Sequence, residues 1–213
     1  MNVLIAIIIS SFIVSAMKAP TIESTVAGEY YLQGVMETAS GFKLNEDSTF
    51  RFFFMYGAMD RAGEGTWSVK GDSIIFNSRK KPAHDYALIK SEAGEADSIV
   101  IRMKDASEMM SRYLYCVIKG GGIEQQAAFE NDGTVRFAAQ PLDSISLLFE
   151  FAPEKESTFH IAQKVHHQFE FRAEPWFMEI FFENFKLNYG GDHLSGSHPL
   201  LNGALFTYRK SGY

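Results

Sequence analysis

Gly65-Thr66-Trp67-Ser68-Val69-Lys70-Gly71-Asp72-Ser73-Ile74-Ile75-Phe76-Asn77 is the stretch that decides the fold class. Two short apolar runs flank Lys70-Gly71-Asp72, where glycine supplies the positive φ that a tight hairpin turn needs. A turn this short joins antiparallel neighbours, because a parallel connection needs a dozen residues or more. The same grammar extends in both directions. Upstream, residues 29–33, 41–44 and 49–56 read as strands, with Glu46-Asp47-Ser48 turning between the last two. Downstream come 86–90, 98–104, 112–119, 123–129, 134–138, 144–151, 158–163, 168–172, 177–182 and 204–209. In 168–172, Phe169 and Phe171 share one face while Gln168, Glu170 and Arg172 share the other. Residues 50–56 are apolar on both faces and predict a strand covered on both sides. The reading is an all-β chain built as an antiparallel meander, not from βαβ units. One short helix is expected near Asp105, which is spaced from Glu108 as a capping box.

Composition agrees. The chain carries 19 Phe, 9 Tyr and 2 Trp in 213 residues, and aromatic rings suit pleated, half-buried surfaces. That length holds one large β domain or two small ones. An internal echo favours two. Leu44-Asn45-Glu46-Asp47-Ser48-Thr49-Phe50-Arg51-Phe52 aligns with Phe129-Glu130-Asn131-Asp132-Gly133-Thr134-Val135-Arg136-Phe137, each an acidic turn leading into a Thr-led strand. Residues 91–97, rich in Gly, Glu and Ser, are the expected boundary. The expected organisation is a module over 17–92 and a second antiparallel β module, sandwich or barrel-like, over 93–213.

The first sixteen residues read as a signal peptide. Leu4-Ile5-Ala6-Ile7-Ile8-Ile9 centres an apolar run shorter than the ~20 residues that span a bilayer. Val14-Ser15-Ala16 offers small residues for cleavage before Met17. The expected location is therefore outside the cytoplasm, periplasmic or secreted, with no integral membrane span once the leader is removed. A net charge of −6 without a basic run removes the usual footprint of nucleic-acid binding. Cys116 is the only cysteine, so no intramolecular disulfide forms. Its apolar neighbours make it a packed hydrophobe.

Gly28-Glu29-Tyr30-Tyr31-Leu32, Gly41-Phe42-Lys43-Leu44, Asp47-Ser48-Thr49-Phe50 and Gly63-Glu64-Gly65-Thr66-Trp67 are spaced as in lipocalin-like β-meander domains of exported bacterial proteins. The resemblance covers about residues 26–77, and Ser48 stands where the pattern has a turn glycine. It implies an antiparallel barrel or half-barrel with ligand binding inside, and it carries over no binding residue.

No catalytic motif is found. Leu194-Ser195-Gly196-Ser197 lacks the glycine two residues before the serine that a hydrolase elbow requires. Gly120-Gly121-Gly122 lacks a following helix and reads as a hinge or bulge, not a phosphate cradle. His166 and His167 point to opposite faces of a strand. Residues 192–198, with His193 and His198, hold no recognised metal pattern, so neither metal nor cofactor is expected. Residues 55–65 read as a long, flexible connection suited to the rim of a binding site. The candidate ligand-binding residues are Tyr30, Phe52, Tyr56, Asp60, Arg61 and Trp67. The expected function is non-enzymatic binding of a small apolar ligand or an envelope component. A solid-cored interaction module and a secreted hydrolase without a recognisable motif are the alternatives.

Overall fold

The computed structural model of the protein describes residues 25–212 apart from 58, 96 and 204. The expected leader lies outside the described residues. The chain is all-β. Strands β1 (Gly28–Leu32), β2 (Thr38–Leu44), β3 (Thr49–Tyr56), β4 (Met59–Lys70) and β5 (Ser73–Asn77) form successive antiparallel hairpins. The next eight strands build a separate module: β6 (Tyr86–Glu92), β7 (Ser98–Met103), β8 (Leu114–Gly120), β9 (Ile123–Ala128), β10 (Thr134–Ala138), β11 (Ser144–Phe149), β12 (Ala152–His160) and β13 (Gln168–Ala173). The chain then returns. β14 (Phe185–Tyr189), β15 (His193–Gly196) and β16 (Phe206–Lys210) complete an eight-stranded closed barrel in the order β1-β16-β15-β14-β5-β4-β3-β2. Its seam pairs Tyr30 with Lys210.

The barrel is thus a meander interrupted between its fifth and sixth strands. The second β module sits in that interruption, and the final three strands belong to the barrel instead of to it. Residues 91–97, expected to separate the modules, comprise the end of β6 and its connection to β7, inside the second one. Local turn signals identify hairpins but do not say which distant strands close a ring.

Inward residues fill the bore. Along β3, Phe50, Phe52 and Phe54 are buried, while Arg51 and Met55 face out. The ring of Phe42 lies 4.8 Å from those of both Phe52 and Phe76, and Phe50 lies 5.1 Å from Phe182. These are favourable aromatic spacings, and they fill a bore that eight strands can also leave open to one small ligand. The outer face of β3 differs from expectation. Arg51 and Met55 there are exposed, Met55 at 47%, and Phe53 is only half-buried, so the outer side is not covered as the inner side is.

The inserted module is a sandwich of two four-stranded sheets, β10-β7-β13-β6 and β12-β11-β8-β9. Ile99, Ile101 and Phe171 from the first face Cys116, Ile118, Ile145 and Leu147 from the second across one core. β13 runs parallel to β7, an exception to the antiparallel expectation that the long connection between them permits. Gly121 and Gly122, both at positive φ, form the two-residue turn of the β8–β9 hairpin and not a hinge. Helix α1 (Glu108–Ser111) is capped by Ser107, whose hydroxyl accepts from the Met110 N–H at 3.1 Å. Asp105 is instead a left-handed residue just before it.

Residues 177–182, expected as a strand, form a strap of turns that bridges the two cores. Phe177 enters the sandwich core, and Ile180 and Phe182 enter the barrel. Phe181, between them, lies beneath two cations, with Arg79 at 4.9 Å and Lys155 at 5.2 Å from its ring. The run is apolar because it serves two cores, not because it belongs to a sheet. One parallel bridge, Ala62 to Glu179, ties it to β4. Gly63 makes that contact possible: a Cβ there would lie 2.6 Å from the Ile180 oxygen and 2.7 Å from the Phe182 ring.

Candidate functional site

The outer wall of the barrel over β1–β4 is organised in rows by strand register. One row reads Tyr31, Gly41, Phe53, Ala62. The row on one side of it reads Glu29, Lys43, Arg51, Glu64, and that on the other side Ala39, Met55, Asp60. Phe53, Met55 and Ala62 line a depression there. Tyr31 and Phe53 meet edge to face across Gly41, with ring centroids 6.1 Å apart. A Cβ on Gly41 would lie 2.9 Å from Phe53 Cε1, so a side chain there would break the pair.

The strap supplies the opposite wall through Pro175, Met178 and Glu179, giving a groove of about 870 Å³. That volume is within the usual span of small-molecule sites. Arg61 secures this wall from below. Its guanidinium is buried, with Nε donating to the Met178 oxygen at 3.1 Å and Nη2 to Glu154 Oε1 at 2.5 Å. A second, more polar cleft of about 680 Å³ adjoins the groove and shares Lys43, Arg51 and Glu64 with it.

Glu29 pins one end of the floor. Its carboxylate accepts Lys43 Nζ at 2.9 Å and the Tyr31 hydroxyl at 2.7 Å. The Lys43 bond, followed by that from Tyr31, holds the Glu29 carboxyl below the usual range, and Glu29 in turn raises the Tyr31 phenol.

Comparison with protein-family models, with curated proteins and with solved structures finds no match.

Of the six candidate residues, Phe52, Asp60 and Arg61 border the groove. Tyr30 and Trp67 do not. Tyr30 is buried in the bore with its hydroxyl on the Val26 oxygen at 2.6 Å, and the Trp67 indole N–H donates to the Asn45 oxygen at 3.1 Å. Tyr56 is exposed at the end of β3, outside the groove lining. Residues 55–65 are not a long flexible loop but a tight hairpin, with Tyr56 paired to Met59 and β4 beginning at once. Arg61 points inward and finds its counter-ion, Glu154, in the inserted module.

Tyr31, Phe53, Met55 and Met178 escaped sequence reading. Their signal was available in part: apolar side chains stand at the outward positions of β1 and β3, opposite small residues on β2 and β4.

Residues 192–198 spread their histidines apart. His193 lies outside, with Nδ1 2.7 Å from Asp192 Oδ1. His198 is buried in the barrel beside Phe54 and Tyr208. Its Nδ1 accepts the N–H groups of Leu200 and Leu201, both at 3.0 Å, which leaves Nε2 to donate to Ser40 Oγ at 3.1 Å. Cys116 is buried in the sandwich core, and burial pushes its thiol far above the usual range.

Proposed function

We propose that this chain is an exported binding protein that holds a small apolar molecule in the external groove, not in the bore. The observation that carries the reading is the surface of exposed Tyr31 and Met55 around half-buried Phe53, facing the strap on a barrel whose interior is already occupied by aromatic rings. Apolar side chains at outward barrel positions cost solubility, and large exposed apolar patches commonly mark contact sites. The resemblance of residues 26–77 to lipocalin-like domains supports a ligand-binding role with the site moved to the outside. The leader reading supports export to the periplasm or beyond.

Titration with an environment-sensitive hydrophobic fluorophore tests the site. Native protein enhances its emission, Phe53→Asp and Met178→Asp abolish the enhancement, and Met109→Asp, on the exposed face of α1, preserves it. Enhancement that survives both groove substitutions overturns the reading. The filled bore favours one second reading, an interaction module whose groove receives an apolar side chain of an envelope protein. Failure of the fluorophore to bind native protein would favour that one.

A further inference from the structure

The charged row beside the groove sets two cations between two acids. Across β1 to β4 it runs Glu29, Lys43, Arg51, Glu64, so two cations stand directly opposite one another at its centre. Like charges at directly opposed positions of a ladder are destabilising. Lys43 is engaged by Glu29, whereas Arg51 has no ion-pair partner among the described residues. Both side chains line the apolar groove and the polar cleft alike, and so mark the place where the two meet. Of the acidic groups nearby, Glu64 shares that place, and the others are engaged or lie elsewhere. Glu29 is held by Lys43 and the Tyr31 hydroxyl. Asp47 is held by the N–H and hydroxyl of Thr49, both on Oδ1. Asp60 lies at the far end of the floor, opposite Met55. Glu64 stands directly opposite Arg51 on β4, but no ion pair joins the two.

Resting on the groove reading above, we infer that the ligand is a single-tailed amphiphile with an anionic head group. The head lies between Lys43 and Arg51 in the mouth of the polar cleft, and the tail lies along Phe53 toward Met55 and Met178. Arg51 presents a planar fork that matches a carboxylate or phosphate in two bonds, and Lys43 adds a point charge across the ladder. From the Arg51 row to the Met55 row is four residues of strand, roughly 13 Å. That is a length for one extended tail. A shared anion offsets the Lys43–Arg51 repulsion, which is a reason for the two cations to be adjacent.

Binding of decanoate, decanol and decylammonium to the full chain at pH 7.5 tests this. The three share a tail and differ in head charge. Expected is decanoate binding at least tenfold tighter than decanol, with decylammonium weakest. The decanoate advantage should shrink as salt is raised, because these cations are exposed. Arg51→Gln lowers decanoate to the affinity of decanol and leaves decanol unchanged, which also reports that the variant is folded. Arg51→Glu reverses the order, so that decylammonium binds better than decanoate. Decanoate binding no tighter than decanol, or undiminished in Arg51→Gln, overturns the head-group assignment while leaving the groove intact. Absence of binding by all three overturns both.

Discussion

Ser48 and Gly133 hold the same position in two turns of the same construction, one in the barrel and one in the sandwich. Each lies at positive φ, +64° and +75°. In each turn the preceding aspartate accepts the N–H and hydroxyl of the following threonine on one oxygen, at 2.9 and 2.6 Å in both cases. The carbonyl of each then accepts an N–H from a neighbouring strand at 2.8 Å, from Trp67 in one and Met103 in the other. The echo between residues 44–52 and 129–137 is therefore one turn used twice.

The two positions answer differently to substitution. Left-handed backbone costs an L-residue about 1–2 kcal/mol, and Ser48 already bears that cost. Ser48→Gly is expected to be neutral or to stabilise by up to about 1 kcal/mol, the relief offset by greater freedom of the unfolded chain. Gly133→Ala meets the same backbone cost and places a Cβ 2.9 Å from the Met103 oxygen. It should destabilise by roughly 2 kcal/mol. Denaturant midpoints of the two variants check both signs.

His198 ties stability to pH. Burial lowers its pKa from 6.5 to about 4, so the unfolded chain takes up a proton that the folded chain refuses. The neutral ring's contribution is complete above about pH 6.5. It is lost as pH falls from there toward 4, by roughly 3 kcal/mol in all. His198→Gln removes this component. Equilibrium unfolding of both proteins between pH 7.5 and 4.5 measures it, and parallel pH profiles would contradict the assignment.

Lys155 and Asp85 form an ion pair between side chains only 2% and 3% exposed, Nζ to Oδ1 at 3.0 Å. Burial pulls the Lys155 ammonium below its ordinary range, and the Asp85 bond opposes that shift. Asp85→Ala leaves a buried cation without its carboxylate and should cost about 3–5 kcal/mol. Adding Lys155→Met to it should recover at least half of the loss, because the stranded charge goes too. A double-mutant cycle by chemical denaturation reads the coupling directly.

Phe182 reaches the barrel core from the strap, within 5.4 Å of the Phe50, Phe52 and Phe185 ring centroids. Phe182→Ala should cost about 3–5 kcal/mol and leave a cavity large enough to admit small aromatic molecules. Thermal stabilisation of the variant by benzene, absent in the native protein, is the expected observation.

How far the sequence revealed this fold depends on where each residue's partners lie. Residues 49–56, 73–77 and 134–138 were read with the observed bounds, because their alternation and flanking turns are local. β14 and β15 were missed, since each is short and fully buries one apolar side chain, Leu187 and Leu194. Met178 and Arg61 had the opposite difficulty. Their roles depend on a contact between the strap and β4, and on Glu154 in the inserted module, so nothing in their own neighbourhoods announces the groove. The outward apolar residues of β1 and β3 were visible, but register alone places Tyr31 beside Phe53.

The interruption of the barrel bears on how the chain comes together during synthesis. Residues of the sandwich follow one another without a break, so that module has all its strands as soon as β13 is made. Strands β1–β5 do not: Tyr30 waits for Lys210 and Ile75 for Lys186. Until then the growing barrel is an open sheet with two unpaired edges and a row of phenylalanines on one face, the kind of surface on which chaperones act. The strands that shut it are made only after the whole sandwich.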